Sequence, residues 1–421
     1  MKLRLPRWRS RAGGAASATT LPAKARSPRV TQVFVLVSAA TLSGCVTWAE
    51  RPELGKARVD LAPLEGVETA RLWSDAPAER WLEWRSDLME QRRQSGHSAQ
   101  LEILAISSGS EKGAYSAGFL NGWSKTGTRP EFDIVSGVST GALIAPFAFL
   151  GTGYDEHLRT LYTQIETRHI YRPTTVSGFL GGPALADTSP LAQLIEMYVD
   201  DDVLERVAIA HRQGRRLLVQ TTHLDAGRGV VWDLGALAAS ERRDKLSLFR
   251  QVLLASASIP GLFPPVLITP GSQEISTPAE MHVDGGTTSS LFAAPPSILF
   301  SERASDPRLA SRITILYNGQ LAPDAVTVQP RALEVLERAL SVSIIEADRR
   351  SLAALKAFAE KNGTSLRVFE AGDLSDEEVD ERFDTEFMRM LFSQGAARAK
   401  EAFAAQQTSP EIVIPLAETE Q

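Results

Sequence analysis

The chain has 421 residues, 43% of them hydrophobic and 23% charged, an ordinary globular composition long enough to bury a large core without disulfide staples. Its formal net charge of −6 hides an asymmetry: residues 1–44 hold eight basic residues and no Asp or Glu, which leaves −14 on the remaining 377 residues. An acidic body excludes the basic face that nucleic acid requires, and excludes general electrostatic attraction to anionic lipid heads.

The basic N-terminal stretch is followed by an apolar run, Val33 to Leu42. At about ten residues it is too short to span a bilayer, which needs about 20. Basic, then apolar, then small residues is the layout of a secretory signal peptide. The run ends in Leu42-Ser43-Gly44-Cys45, which looks like a bacterial lipobox, cut before the Cys and acylated on it. Cys45 is the only cysteine, so its lipidation leaves no thiol for a disulfide or a Cys-based metal site. A plain buried thiol is the alternative. Val46 after the Cys, by resemblance to other lipoproteins, favours the outer membrane of the cell envelope. Residues 45–98 then form a tether and N-terminal segment, with Trp48, Trp73, Trp81 and Trp84 as candidates to pack on the body.

The body reads as strands alternating with helices. Leu101–Ile106 is a short apolar strand ending in Ser107-Ser108-Gly109-Ser110. A helix follows over Gly113–Trp123, a strand over Phe132–Val135, and an apolar helix over Thr140–Leu150. Strands are expected at 216–221, 230–232, 281–283, 312–317 and 365–369, and helices at 245–257, 331–362 and 378–404. Ile412–Pro415 offers one further edge strand. This rhythm predicts an α/β fold, helices on both sides of a largely parallel sheet. The expected organisation is a core over 99–300 and a C-terminal α/β part over 301–421 packed on it.

Two turns carry candidate chemistry. Gly137-Val138-Ser139-Thr140-Gly141 matches G-x-S-x-G between a strand and a helix, the setting in which that motif presents a serine hydroxyl at a sharp turn. The helix beginning near Thr140 adds its positive dipole end. None of the six histidines, His97, His157, His169, His211, His223 and His282, falls in a recognisable triad position, and His282 is read as pointing away from Asp284. Asp284-Gly285-Gly286 instead sets a carboxylate at a strand end, although Asp-Gly is also ordinary turn chemistry.

Further segments join these in order: Ala105–Gly118, Ala186–Leu191, Thr221–Asp225 with Val231–Leu234, and Ala255–Val266. With Gly137–Leu143 and Val283–Gly286, the stretch from about residue 100 to about 300 resembles the patatin-like phospholipase family. The resemblance implies Ser139 as nucleophile, Asp284 as its partner, and the backbone N–H groups of Gly109 and Ser110 as oxyanion donors. Lys112 takes the place of the family's basic loop residue, with an ordinary solvated lysine as the other reading. Gly113, Gly137, Thr140, Gly141, Gly285 and Gly286 complete the motifs. One departure stands out. The family's loop has three consecutive glycines where this chain has Ser108-Gly109-Ser110, and serine tolerates fewer backbone conformations than glycine.

The implied activity is cleavage of fatty-acyl esters of a glycerolipid or phospholipid through a Ser–Asp dyad and an acyl-enzyme, with no metal or cofactor. The alternatives are a small-ester esterase or thioesterase, and a membrane-tethered binding protein with a degenerate oxyanion loop. Leu143, Ile144, Phe147, Phe149 and Leu150 either line an acyl channel or pack in the core. No protein partner is indicated.

Overall fold

The computed structural model describes residues 61–404, apart from 175–181, 183, 272–277, 300–310, 323–324, 326 and 373–381. The expected signal segment over 1–44, Cys45, Trp48 and the expected edge strand Ile412–Pro415 lie outside the described residues. Contacts separate 1–50 from 51–421, and only the second unit contains described residues.

In chain order the strands are β1 (Arg71–Trp73), β2 (Glu102–Ile106), β3 (Ile134–Val138), β4 (Arg172–Pro173), β5 (Ala186–Asp187), β6 (Arg216–His223), β7 (Arg228–Asp233), β8 (Val266–Ile268), β9 (Glu280–Asp284), β10 (Arg312–Tyr317) and β11 (Ser365–Glu370). β4 and β5 form a ribbon of their own; the rest make one sheet with the order β1-β7-β6-β3-β2-β10-β11, and β9 and β8 attached beside β6. The five strands β6, β3, β2, β10 and β11 are mutually parallel. β3 and β6 are buried at every position, as expected where helices cover both faces of a parallel sheet. The predicted α/β architecture with a mostly parallel central sheet is the one observed.

One face of the sheet carries helices Gly113–Lys125, Thr140–Leu150, Lys245–Ser256 and Thr385–Ala404, whose apolar residues share one core with Leu104, Val135, Leu217 and Val219. The other face carries Ala78–Gln94 and the long helix Ala332–Asn362. The C-terminal part is woven into the sheet rather than appended. β10 pairs directly with β2, and the Thr385–Ala404 helix packs backbone-close against Gly113–Lys125. A Cβ on Gly118 would lie 1.9 Å from the Phe392 carbonyl oxygen, so only glycine permits that approach.

Two features of topology place the site. β6 is longer than β3: Val138 pairs with Gln220, and the next position, Thr221, pairs with Asp284 of antiparallel β9. β3 and β9 thus meet end to end along one side of β6. The second feature is β10, whose backbone continues beside the segment leaving β2, with the Ser107 N–H donating to the Leu316 carbonyl at 3.0 Å.

The described part of the 45–98 segment also belongs to the sheet. β1 pairs with β7, and the Trp84 indole N–H donates to Asp233 at 3.2 Å. Arg71 forms an ion pair at 2.6 Å with Glu280 at the start of β9, both side chains being at least nine-tenths buried. His282 also hydrogen-bonds Glu280, at 3.0 Å. Breaking a buried pair leaves an uncompensated charge, so Glu280→Ala is expected to lower stability by about 3–5 kcal/mol in urea unfolding. A loss under about 1 kcal/mol would mean that this contact does not hold β1 to β9.

Candidate active site

Ser139 sits between β3 and the Thr140–Leu150 helix with φ 56° and ψ −122°, a conformation that is strained for any residue with a side chain. The flanking glycines make this turn possible. A Cβ on Gly137 would lie 2.2 Å from the Gly141 carbonyl oxygen, and one on Gly141 would lie 2.3 Å from that of Ile106. The elbow is also tied from outside. The Ser139 N–H donates to Ser256 Oγ at 3.0 Å, and the Ser256 hydroxyl donates to the Gln220 carbonyl at 2.7 Å. Thr140 Oγ1 pairs with the Tyr162 hydroxyl at 2.7 Å, in space left by Gly113.

Asp284 ends β9, and its N–H donates to the Ser258 carbonyl at 2.9 Å. Its carboxylate accepts a hydrogen bond from the Gly286 N–H at 2.7 Å, and the Ser139 side chain lies near enough to favour its charged form. Burial pushes the carboxyl up to about 7; Ser139 and the Gly286 N–H oppose that rise but do not cancel it. Gly285 lies against β6, where a Cβ would stand 2.4 Å from the Gln220 carbonyl oxygen. The Asp-Gly-Gly segment is therefore a tight turn as well as the carrier of a buried carboxylate.

The third segment, Ser107–Lys112, follows β2. Gly109 has φ 153° and Ser110 φ 55°, so the second loop serine holds a left-handed backbone that favours glycine. The N–H groups of Gly109 and Ser110 make no hydrogen bond within the described residues. Ser110 lines the same pocket as Ser139, and its hydroxyl is buried without a partner. Lys112 is the N-cap of the next helix and lines a more polar groove with Glu111 and Asn318, which Ser139 does not line.

The pocket at Ser139 has about 800 Å³ including its open mouth, and its walls are almost wholly apolar. Leu143 and Phe147, one helical turn apart, face it, with Leu191, Ile195, Phe263 and Met388 opposite. Ile144 and Phe149 lie in the core and Leu150 packs against it, so the one apolar helix serves both purposes. No histidine lines the pocket. His282 corrects the sequence reading: positions 282 and 284 share a strand face because strand side chains alternate with period two. Its ring is nonetheless committed elsewhere, to Thr221 at 2.9 Å and Glu280 at 3.0 Å.

Sequence reasoning missed Ser256, Tyr162, Ser290 and Asn318. Ser256 lies inside a segment already singled out, Ala255–Val266, and Asn318 ends the apolar run of β10, but neither position announces its partner.

Residues 104–296 match the family model of patatin-like phospholipases. No curated protein matches the chain. Among solved structures, the chain is similar to VipD from Legionella pneumophila at 11% identity and a TM-score of 0.37. That alignment spans 72% of this chain and 66% of VipD, just under two thirds of its length.

The raised carboxyl has a consequence for stability. A folded-state value near 7 against an ordinary 3.8 means that the fold favours neutral Asp284, so its contribution is greatest below about pH 4 and is lost as pH rises towards 7. Asp284→Asn removes that penalty. The variant should exceed the parent by up to about 4 kcal/mol in urea unfolding at pH 8 and match it at pH 4. Equal stabilities at both pH values would contradict the buried, proton-holding carboxyl.

Proposed function

Starting from the patatin-like phospholipase domain matched at residues 104–296, we propose that this chain is a lipid acyl hydrolase acting through a Ser139–Asp284 dyad. The observation that carries the reading is Ser139, on its strained turn at the wall of an apolar pocket, beside a buried carboxylate of raised pKa. An ordinary carboxylate is a weak base toward a serine hydroxyl, and a base near 7 is matched to neutral pH.

In this mechanism Asp284 takes the Ser139 proton as Oγ attacks the ester carbonyl. The tetrahedral oxyanion meets the unpaired N–H groups of Gly109 and Ser110 and the N-terminal end of the Thr140–Leu150 helix. Asp284 returns the proton to the departing alcohol, leaving an acyl-enzyme on Ser139. Water then gives its proton to Asp284 and attacks the acyl carbonyl; Asp284 returns that proton to the departing Ser139 Oγ, and the fatty acid leaves. The apolar walls around Leu143 and Phe147 suit an acyl chain of a glycerolipid or phospholipid. A small-ester esterase or thioesterase would use the same dyad and would show no preference for long chains.

The same proposal places the body at a membrane through acylated Cys45, in the outer membrane of a bacterial envelope. With 14 net negative charges on the body, the anchor rather than surface charge supplies attachment. Cys45→Ala should lose metabolic palmitate labelling and move the protein out of the membrane fraction; retention of both would sink the lipidation.

For the chemistry, a fluorophosphonate probe should label the parent and not Ser139→Ala. Asp284→Asn should reduce kcat/KM toward long-chain esters by roughly 10³-fold or more. In the parent, kcat/KM should fall as pH drops through about 7, because protonated Asp284 accepts no proton. A folded parent that neither labels nor hydrolyses esters would favour the binding-protein alternative.

A further inference from the structure

The peptide plane between Ser107 and Ser108 immediately precedes the two candidate oxyanion donors. Both polar groups of that plane are held. The Ser107 carbonyl accepts from Asn318 Nδ2 at 2.9 Å, and the Ser108 N–H donates to the Ser290 carbonyl at 2.7 Å. Asn318 is itself fixed on every side. Its Oδ1 accepts from the Ser116 hydroxyl at 2.5 Å and the Ser116 N–H at 3.3 Å, and its own N–H donates to Ser107 Oγ at 2.8 Å. The Asn318 side chain is also the surface against which Gly109 lies: a Cβ on Gly109 would stand 2.5 Å from Asn318 Cβ. Behind the second bond, the Ser290 hydroxyl donates to buried Asp348, which also accepts from Tyr317 at 2.8 Å.

We propose that Asn318 is the positioning residue of the oxyanion loop: its carboxamide pins the Ser107–Ser108 peptide and so sets how the N–H groups of Gly109 and of Ser110, which lines the Ser139 pocket, are presented. The proposal rests on the hydrolase reading above. It also accounts for a loop that carries serines at 108 and 110. A left-handed serine persists only where its surroundings over-determine it, and here Asn318 and Ser290 hold the peptide that leads into it. Residue 318 must donate to one neighbour and accept from another. Among side chains of this size that need no protonation to do so, only a carboxamide offers both from one planar group. Asn318 lies beyond residues 104–296, so the determinant comes from outside the matched segment.

The test uses the full chain in detergent, with active sites counted by fluorophosphonate titration. Asn318→Asp keeps the size and the bond from Ser116 but sets an oxygen against the Ser107 carbonyl. Per active site, kcat on a nitrophenyl ester should fall about 10–100-fold with KM changed less than about threefold, less than loss of a whole oxyanion donor. Affinity for a trifluoromethyl ketone, which forms a tetrahedral oxyanion on the serine, should fall by the same factor as kcat. A merely structural role would lower the active fraction or the Tm and leave both per-site quantities unchanged; that result overturns the proposal.

If Asn318→Asp does not fold, Ser116→Ala loosens the same amide from its far side. It should cost about 3–10-fold in kcat, in parallel with the inhibitor; unchanged values for both would equally overturn the proposal. An active parent with unaffected variants removes only the role of Asn318. A parent that never labels removes the hydrolase reading, and this proposal with it.

Discussion

Everything at this site depends on β6 being longer than its neighbour β3. The ladder between them ends at Val138 and Gln220, and β9 takes up the open edge of β6 one position later. Two strands running in opposite directions therefore end facing each other. The turn after one presents Ser139, and the last residue of the other is Asp284. Because both are registered on the same strand, the hydroxyl and the carboxylate are set by backbone hydrogen bonds rather than by side-chain flexibility. Ser256 reinforces the join, holding the Ser139 N–H with one lone pair while donating to Gln220 on β6.

The burial that makes this junction rigid also sets its electrostatics. Asp284 lies between the sheet and a helical layer, so its charged form is poorly solvated, and Ser139 and the Gly286 N–H offset only part of that loss. A different solution appears two and four residues earlier on the same strand. Glu280 is buried as well, but Arg71 and His282 hydrogen-bond it and hold its carboxyl down at about 2 despite burial. The contrast lies in partners: one carboxylate meets a guanidinium, the other only a hydroxyl and an amide. The first is fixed as an ion, and the second is left able to exchange a proton near neutral pH.

The segment beyond residue 300 reaches the candidate site from a distance. β10 enters the middle of the sheet beside β2 and carries Asn318 to the loop that leaves β2. The final helix packs on the helix that follows the loop. Ser139, Asp284, Gly109 and Ser110 are local to 104–296, whereas Asn318, which holds the Ser107 carbonyl, is not.

Much of this was legible in the residue order. Apolar runs announced β2, β3, β6 and β10, because a buried parallel strand must be apolar on both faces. Glycines at 137 and 141 announced a turn too tight for side chains. The polar helices Asp155–Thr163 and Asp201–Arg212 went unread; the second starts at an acidic run whose first member, Asp200, is its N-cap, accepting from the Val203 N–H at 3.0 Å. The residue order by itself determined which side chains stand at strand ends and turns, since those signals act over a few neighbours. Only the tertiary structure decided that Asp284 is desolvated, that His282 is committed to Thr221 and Glu280, and that Asn318 reaches Ser107 from 211 residues away. Solvation and hydrogen-bond partnership belong to the space a residue is folded into, and no local pattern encodes what arrives there from the far end of the chain.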